Sequence, residues 1–185
     1  MCKIYFVTGN DGKFKEAQEI LGEDFKLERI KLDLPEIQGV DVCEIAEEKA
    51  KTAFAEIKKP VLIEDTGLCF EAWHGLPGAL IKWFLMPDKD RGNEKLIKML
   101  GGFDNRRAEA ITVFAYCDES GARIFEGKIL GNISEFPRGE RGFGWDQIFV
   151  PEGKEKTFGE MSAEEKNSIS MRRNALMKLK ESFLK

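Results

Sequence analysis

The chain has 185 residues, 42% of them hydrophobic, which suits one compact domain with a buried core, and we expect a single domain over 1–185. Its formal net charge of −4 at pH 7 provides no broad cationic surface, so nucleic-acid binding is not expected. No apolar stretch reaches the roughly 18 residues of a membrane span, and we expect neither a signal peptide nor contact with a membrane.

The first predicted elements form a strand, a loop and a helix. Ile4 to Val7 is a short apolar run typical of a strand, and Thr8 to Gly12 is a cluster of turn-forming residues. Phe14 to Leu21 follows helical spacing and reaches Gly22, a residue suited to a helix C-terminal cap.

A second strand over 25–30 and a helix over 42–57 are predicted next. Apolar residues alternate in the first segment and fall on one helical face in the second. Pro60 to Ile63 then predicts a buried strand, which we expect to end at the polar sequence Glu64-Asp65-Thr66-Gly67.

The rest of the chain continues this mixture of helices and strands. After a turn-rich stretch over 73–78, the sequence Asp118-Glu119-Ser120-Gly121 joins two alternating segments and predicts a β-hairpin. The predicted elements are helices over 79–85, 94–100 and 170–184 and strands over 108–116, 123–130 and 148–150. This order predicts a mixed α/β domain whose sheet is partly antiparallel.

The loop from Thr8 to Lys13 lies where a strand leads into a helix. Free backbone N–H groups and the helix dipole favour an anion at such a place, and phosphate is the expected ligand. The loop lacks the G-x-x-x-x-G-K-[ST] spacing of the common P-loop, and Phe14 stands where that loop needs a hydroxyl. An ordinary turn with a solvated Lys13 is the alternative.

Several acidic residues are candidates for metal binding. They are Glu64 and Asp65 at the expected strand end, Glu36 in the sequence Leu34–Gly39, and Glu44 at the start of a helix. Mg²⁺ usually needs one or two carboxylates in addition to substrate phosphates, so a small acidic set is sufficient. Alternatively, Glu36 is a solvated loop charge and Glu44 only favours its helix N-terminus.

The sequence Gly142-Phe143-Gly144-Trp145-Asp146 places two aromatic rings and a carboxylate in a glycine-rich loop. Such a loop suits the stacking of a base and the acceptance of a hydrogen bond from its ring N–H, although a turn anchored by aromatic residues is the alternative. Lys166-Asn167 and the segment 170–173 could donate to phosphate or to a keto oxygen, or could form a solvated helix start. No catalytic role is expected for His74, the only histidine.

The four cysteines, Cys2, Cys43, Cys69 and Cys117, form no C-x-x-C pair and have no close histidine partner. This spacing indicates neither a zinc site nor a disulfide framework. We expect reduced thiols in a cytoplasmic protein.

Six segments in order resemble the inosine triphosphatase (HAM1-like) family along nearly the whole chain. They are Val7–Asn10 with Lys13, Leu34–Gly39, Glu64–Leu68, Leu76–Gly78 followed by Lys82-Trp83-Phe84, Gly142–Asp146 and Glu165–Ser170. The resemblance implies a two-lobed, mixed-sheet α/β fold of the HAM1/Maf type, usually a homodimer, with a nucleotide cleft between the lobes. It also implies a metal-dependent pyrophosphatase that cleaves ITP, dITP and XTP to the monophosphate and pyrophosphate.

The same resemblance implies roles for particular residues. The triphosphate would be bound by Thr8, Gly9, Asn10, Asp11, Gly12, Lys13, Lys49 and Lys82. Mg²⁺, or Mn²⁺ in its place, would be held by Glu36 and Asp65, and Asp65 would also orient or deprotonate the attacking water. The base or its neighbouring phosphate would be contacted by Phe143, Gly144, Trp145, Asp146, Lys166, Ser170 and Arg172.

One position departs from the family pattern. Relatives usually read Ser-His-Arg where this chain reads Ser170-Met171-Arg172, so the role of the histidine is not carried over. The alternatives are a Maf-like pyrophosphatase of other nucleotides and a nucleotide sensor that has lost turnover. The presence of Glu36, Asp65 and the lysines argues against the sensor.

Overall fold

The computed structural model describes residues 2–183, apart from the side chain of Cys2. Leu184, the last residue of the predicted terminal helix, lies outside this range. Within it the strands are β1 (Cys2–Val7), β2 (Phe25–Ile30), β3 (Val61–Phe70), β4 (Pro77–Gly78), β5 (Arg107–Asp118), β6 (Gly121–Ile133) and β7 (Phe149–Pro151). The helices are α1 (Asp11–Leu21), α2 (Val42–Ile57), α3 (Ile81–Phe84), α4 (Lys89–Met99), α5 (Ala163–Ile169) and α6 (Met171–Phe183). None of the helices in 2–183 is long and apolar enough to cross a membrane.

All seven strands belong to one mixed sheet in the order β2-β1-β3-β5-β6-β7, with β4 beside β3. β1 is parallel to β2 and β3, whereas β5, β6 and β7 pair antiparallel with their neighbours. The predicted hairpin is β5–β6, closed where Asp118 pairs with Gly121. The predicted mixed α/β fold with a partly antiparallel sheet is confirmed.

The prediction that the third strand ends at Glu64 is wrong, because β3 continues to Phe70. Every residue of β3 is paired with a residue of β5. Thr66 and Gly67, which look like turn residues in the sequence, lie opposite Thr112 and Ile111. The parallel neighbour β1 is the strand that stops here, since its pairing with β3 ends at Leu62. The two carboxylates at positions 64 and 65 therefore lie beyond the end of β1 while still held by β5.

Two helices differ from the prediction for local reasons. α4 begins at Lys89 instead of residue 94, because the side chain of Asp88 caps it by accepting from the Arg91 N–H at 2.9 Å. α5 was not predicted, although Ser162 and Glu165 form a reciprocal capping box with bonds of 3.1 and 2.7 Å. The S-x-x-E spacing that precedes α5 was the available sequence signal.

Three apolar clusters fill the interior. One packs α1 and α6 against a face of the sheet around Phe6, Leu62 and Phe114, and a second packs α2 against the other face around Ile63 and Val113. The third surrounds the far ends of β3, β5 and β6, where Leu68, Phe70, Ala108, Trp145, Phe149 and Phe158 are buried together. The first two clusters, on opposite faces of the same part of the sheet, form one apolar region, and the third cluster forms the other. The long strands connect these two regions, as a two-lobed fold requires.

Candidate active site

A cavity of about 650 Å³ lies between the two apolar regions, which is within the roughly 300–1,000 Å³ of small-molecule sites. Its walls combine the β1–α1 loop, the middle of β3, α2, α3 and the start of α6. The predicted site residues that line it are Thr8, Gly9, Asn10, Lys13, Glu36, Lys49, Asp65, Lys82, Phe143, Gly144, Trp145, Asp146 and Arg172. The structure therefore brings together most of the residues predicted from separate segments.

The N-terminus of α1 forms one end of the cavity. Asn10 caps the helix, because its Oδ1 accepts from the Lys13 N–H at 3.0 Å, and its own N–H donates to Thr8 Oγ1 at 3.1 Å. Among residues 2–183, the backbone N–H groups of Asp11 and Gly12 have no hydrogen-bond partner. Free N–H groups in the first turn of a helix are suited to bind an anion.

Asp11 and Gly12 are not among the residues that line the cavity. Asp11 pairs with Arg29 on β2, which lowers the pKa of the Asp11 carboxyl. A Cβ on Gly12 would come within 2.5 Å of the Phe143 ring, so this glycine makes room for that ring. The predicted phosphate contact at these two residues is consequently restricted to their backbone.

Lys49, on α2, joins the two carboxylates predicted to bind metal. Its Nζ lies 3.0 Å from Glu36 Oε2 and 3.1 Å from Asp65 Oδ2. Burial alone would lower the pKa of Lys49, but the charge of Asp65 and the hydrogen bond with Glu36 outweigh it, and the pKa is raised. Burial would raise the pKa of Glu36, yet Lys49, assisted by Lys82 and Lys13, lowers it. Lys49 and Glu36 therefore stay charged near neutral pH.

Two carboxylates on the cavity wall fit the needs of a hard divalent cation. Glu36 and Asp65 are only partly buried, and carboxylate oxygen is a preferred ligand of Mg²⁺. Within the described part of the chain no group of three or more His, Cys, Asp and Glu side chains could hold a metal. The donor set therefore suits a metal that completes its coordination with substrate phosphate and water.

Glu64, next to Asp65, belongs to a different group of contacts. Its side chain is completely buried and receives two bonds from Arg172, Nε to Oε2 at 3.0 Å and Nη2 to Oε1 at 2.8 Å. Burial would raise the pKa of Glu64, but the charges of Arg172 and Lys13 lower it to about 2. Burial likewise opposes the charge of Arg172, and Glu64 raises the pKa of that guanidinium above its ordinary value.

The loop at the other end of the cavity is organised by Asp146. Its Oδ2 accepts from the Phe143 N–H at 2.8 Å and from Lys166 Nζ at 2.7 Å. Gly142 has φ +74°, and a Cβ there would lie 2.1 Å from Asp146 Oδ2, so glycine is required. Lys166 Nζ lies 4.7 Å from the centre of the Phe143 ring, and Arg172 also lies near that ring.

Trp145 and Ser170 are more deeply buried than a direct contact with the base suggests, and Met171 is buried as well. Trp145 lines the cavity but is only 5% exposed and packs against Phe149 with ring centres 5.5 Å apart. Ser170 is fully buried, caps α6 through the Arg173 N–H at 3.2 Å, and does not line the cavity. Met171 lines the cavity from within the third apolar cluster.

Glu16 is a site residue that was not predicted, whereas Glu44, a predicted metal candidate, lies elsewhere and His74 lies outside the cavity as expected. Glu16, on α1, accepts from Lys166 Nζ at 2.7 Å and also pairs with Arg172. It therefore connects two of the residues predicted to contact the base. A single glutamate on a helix face gives no distinctive sequence signal. Glu44 is exposed in the first turn of α2, and His74 is exposed in a turn, and neither lines the cavity.

The described cysteine side chains, those of Cys43, Cys69 and Cys117, are free thiols. Burial raises the pKa of all three, to about 11 for Cys43. The predicted absence of disulfides therefore holds for these residues, and the side chain of Cys2 lies outside the described part.

Comparisons with known proteins agree with this geometry. The sequence profile of the Ham1 family matches residues 4–182. The chain is 52% identical to inosine triphosphate pyrophosphatase 2 of Trypanosoma cruzi, over 98% of this chain and 92% of that protein. It is 44% identical to the dITP/XTP pyrophosphatase of Methanopyrus kandleri, over 97% and 95%. The structure of a HAM1 protein from Coxiella burnetii superposes with a TM-score of 0.87 at 29% identity, covering 100% and 99% of the two chains.

Proposed function

The chain belongs to the Ham1 family, and from this we propose that it hydrolyses the non-standard purine nucleotides ITP, dITP and XTP to the monophosphate and pyrophosphate. Of the relatives named above, one is named an inosine triphosphate pyrophosphatase and another a dITP/XTP pyrophosphatase. The observation that carries the proposal is the single cavity that unites the N-terminus of α1, the Glu36–Lys49–Asp65 contacts and the Phe143–Asp146 loop. These three parts meet the needs of a triphosphate, a metal and a base.

Glu36 and Asp65 are the residues that would hold Mg²⁺, or Mn²⁺ in its place. When bound, the metal would neutralise phosphate charge and polarise the phosphorus that is attacked. Lys49 touches both carboxylates and would therefore lie at the boundary between the metal and the phosphates. Its ammonium, with those of Lys13 and Lys82, would stabilise the departing pyrophosphate.

Asp65 is the residue we assign to the water. Its carboxylate faces the cavity and is fixed by Lys49 on Oδ2 and by the Thr66 N–H on Oδ1, the latter at 2.9 Å. A carboxylate fixed in this way can accept a proton from water aligned for in-line attack on the α-phosphorus. The free N–H groups of α1 would hold the remaining phosphates.

Base selection is assigned to Phe143 and Arg172. The Phe143 ring offers a stacking surface on the cavity wall, and Arg172 can donate to the 6-oxygen of hypoxanthine or xanthine. The 6-amino group of adenine cannot accept that bond, which leaves a buried donor unpaired at a cost of about 1–3 kcal/mol. Lys166 and Ser170 would support this end through Asp146 and the start of α6.

We also propose that the protein is a homodimer in the cytoplasm. The family resemblance supports the dimer, and the location of the cellular nucleotide pool supports the compartment. Sedimentation analysis of the purified protein and cell fractionation test the two statements separately.

The proposed function is tested by measuring pyrophosphate release from ITP, dITP, XTP, GTP and ATP, with and without Mg²⁺. We expect rapid release from the first three only when the metal is present. Equal rates with modified pyrimidine or ordinary triphosphates would favour a Maf-like activity. Nucleotide binding without any release would favour a sensor.

A further inference from the structure

We propose that Glu64 is a positioning residue for base selection, which fixes the guanidinium plane of Arg172 and thereby sets the preference for 6-oxo over 6-amino purines. The inference rests on the proposed function, because it requires Arg172 to meet the base. Glu64 itself would not touch the substrate. It acts through the orientation of the residue that does.

The contact between Glu64 and Arg172 is a two-bond pair. The Nε and Nη2 atoms donate to the two oxygens of one carboxylate, at 3.0 and 2.8 Å. Such a paired arrangement fixes both the position and the plane of the guanidinium, which a single ionic contact does not. Both side chains are almost completely buried, so water does not compete for either partner.

Glu16 holds the same guanidinium from a second direction through Nη1. An arginine side chain has five N–H donors, and Glu64 and Glu16 occupy three of them. Two donors remain on a side chain that lines the cavity. Their direction is fixed because the plane of the group is fixed.

The carboxylate of Glu64 is itself held in place. Thr66 Oγ1 donates to Glu64 Oε1 at 2.8 Å. The hydroxyl oxygen of Thr112, on the paired strand β5, lies 3.3 Å from Thr66 Oγ1. Thr66 therefore fixes the Glu64 carboxylate directly from β3, whereas Thr112 contacts Thr66 and does not touch the ion pair. α6, which carries Arg172 in its first turn, supplies the other half of the pair.

A second route from Glu64 leads to phosphate, and it must be separated from the first. Lys13 Nζ lies 3.4 Å from Glu64 Oε1, so the loss of the Glu64 charge also disturbs a phosphate-binding lysine. Phosphates are common to ITP and ATP, and a disturbance of Lys13 lowers the efficiency with both nucleotides equally. A disturbance of Arg172 changes their ratio.

The test compares the ratio of kcat/KM for ITP to that for ATP in the wild type, Glu64→Gln, Glu64→Asp and Thr112→Val. Glutamine keeps the shape but loses the charge and one acceptor, and we expect the ratio to fall about tenfold or more. Aspartate keeps the charge with a shorter reach, and we expect an intermediate ratio. Thr112→Val is the matched control, because it removes a buried hydroxyl of the same chain of contacts without changing the ion pair.

Equal losses with ITP and ATP in the Glu64 variants would overturn the inference, and so would a ratio that falls as far in Thr112→Val. If Glu64→Gln does not fold, as judged by circular dichroism, the Glu64→Asp protein carries the test, and an unchanged ratio there contradicts the inference. Failure of the wild type to hydrolyse ITP would instead contradict the proposed function. The two failures are thus distinguishable in one set of assays.

Discussion

The carboxylates of Glu64 and Asp65 lie on opposite faces of the sheet, although the two residues are neighbours in one strand. Asp65 faces α2 and contacts Lys49, whereas Glu64 faces α1 and α6 and contacts Arg172. Alternation along a strand produces this separation, and the early end of β1 exposes both groups to one cavity. In the proposed function, one dipeptide would therefore act on the phosphates through Asp65 and on the base through Glu64.

Asp65→Asn should lower turnover much more than nucleotide binding. The amide is nearly isosteric but cannot accept a proton from water, so we expect kcat with ITP to fall about 10²-fold or more. Steady-state kinetics on the folded variant measures this. Asp104→Asn, at an exposed position outside the cavity, is the matched control. A kcat close to that of the wild type would remove Asp65 from the mechanism.

Lys13→Ala and Lys82→Ala should each reduce efficiency with all triphosphates alike, because charge on the phosphates does not depend on the base. Kinetics with ITP and ATP measures both effects. Lys95→Ala, which removes an exposed charge on α4 away from the cavity, controls for net charge. A lysine whose removal changes the ITP to ATP ratio more than overall efficiency would belong to the base pocket.

Glu36→Gln should raise the Mg²⁺ concentration needed for half-maximal activity by about tenfold or more, since an amide oxygen is a weaker ligand than a carboxylate. Chelation of the metal should abolish pyrophosphate release by the wild type, and added Mg²⁺ should restore it. Titration of activity against Mg²⁺ provides the measurement. An unchanged Mg²⁺ dependence in the variant would exclude Glu36 from the metal site.

The stability of the fold should depend on pH through Glu64. Its pKa is lowered from an ordinary 4.5 to about 2, so its charged form stabilises the folded state above about pH 4.5. This contribution, on the order of 3 kcal/mol, is lost as the pH falls from 4.5 through 2. Urea unfolding of the wild type and Glu64→Gln over this range should show a difference in free energy that shrinks with acidity. A difference that does not vary with pH would contradict this assignment.

Met171→His should destabilise the protein. The methionine side chain is 1% exposed and packs in the third apolar cluster, where an imidazole would bury polar nitrogens. A loss of roughly 1–3 kcal/mol is expected if they find no partner, and urea unfolding at pH 7 measures it. Met171→Leu, which keeps an apolar side chain of similar volume, serves as the control. Equal stability of the His and wild-type proteins would show that the site already provides a hydrogen-bonding partner for the ring.

Much of the fold was predictable because its signals are local. The opening strand, loop and helix, the long helix α2 and the β5–β6 hairpin all follow from apolar spacing and turn residues. The continuation of β3 through Thr66 and Gly67 was not, because it depends on pairing with β5 more than 40 residues later in the chain. Polar residues that look like a turn become strand when a partner covers them.

In the candidate site, too, the residues with local sequence signals were predictable and their long-range contacts were not. The residues of the phosphate and base loops were found in the sequence by their types and order, and Lys49 and Lys82 through the family resemblance. Their partners were not, since Glu16 meets Lys166 across 150 positions and Arg172 meets Glu64 across 108. Such contacts arise when α5 packs against α1 and when α6 packs against the sheet, and no spacing within any one segment specifies them.

The close approach of Gly12 and Phe143 joins the two loops to which we assign the triphosphate and the base. Because the aromatic ring occupies the space of a Cβ at position 12, a larger residue there requires the ring to shift or a smaller residue at position 143. Positions 12 and 143 therefore form a compensating pair. A larger residue at position 12 would therefore disturb the proposed base contact through the Phe143 ring as well as the proposed phosphate contact at the start of α1.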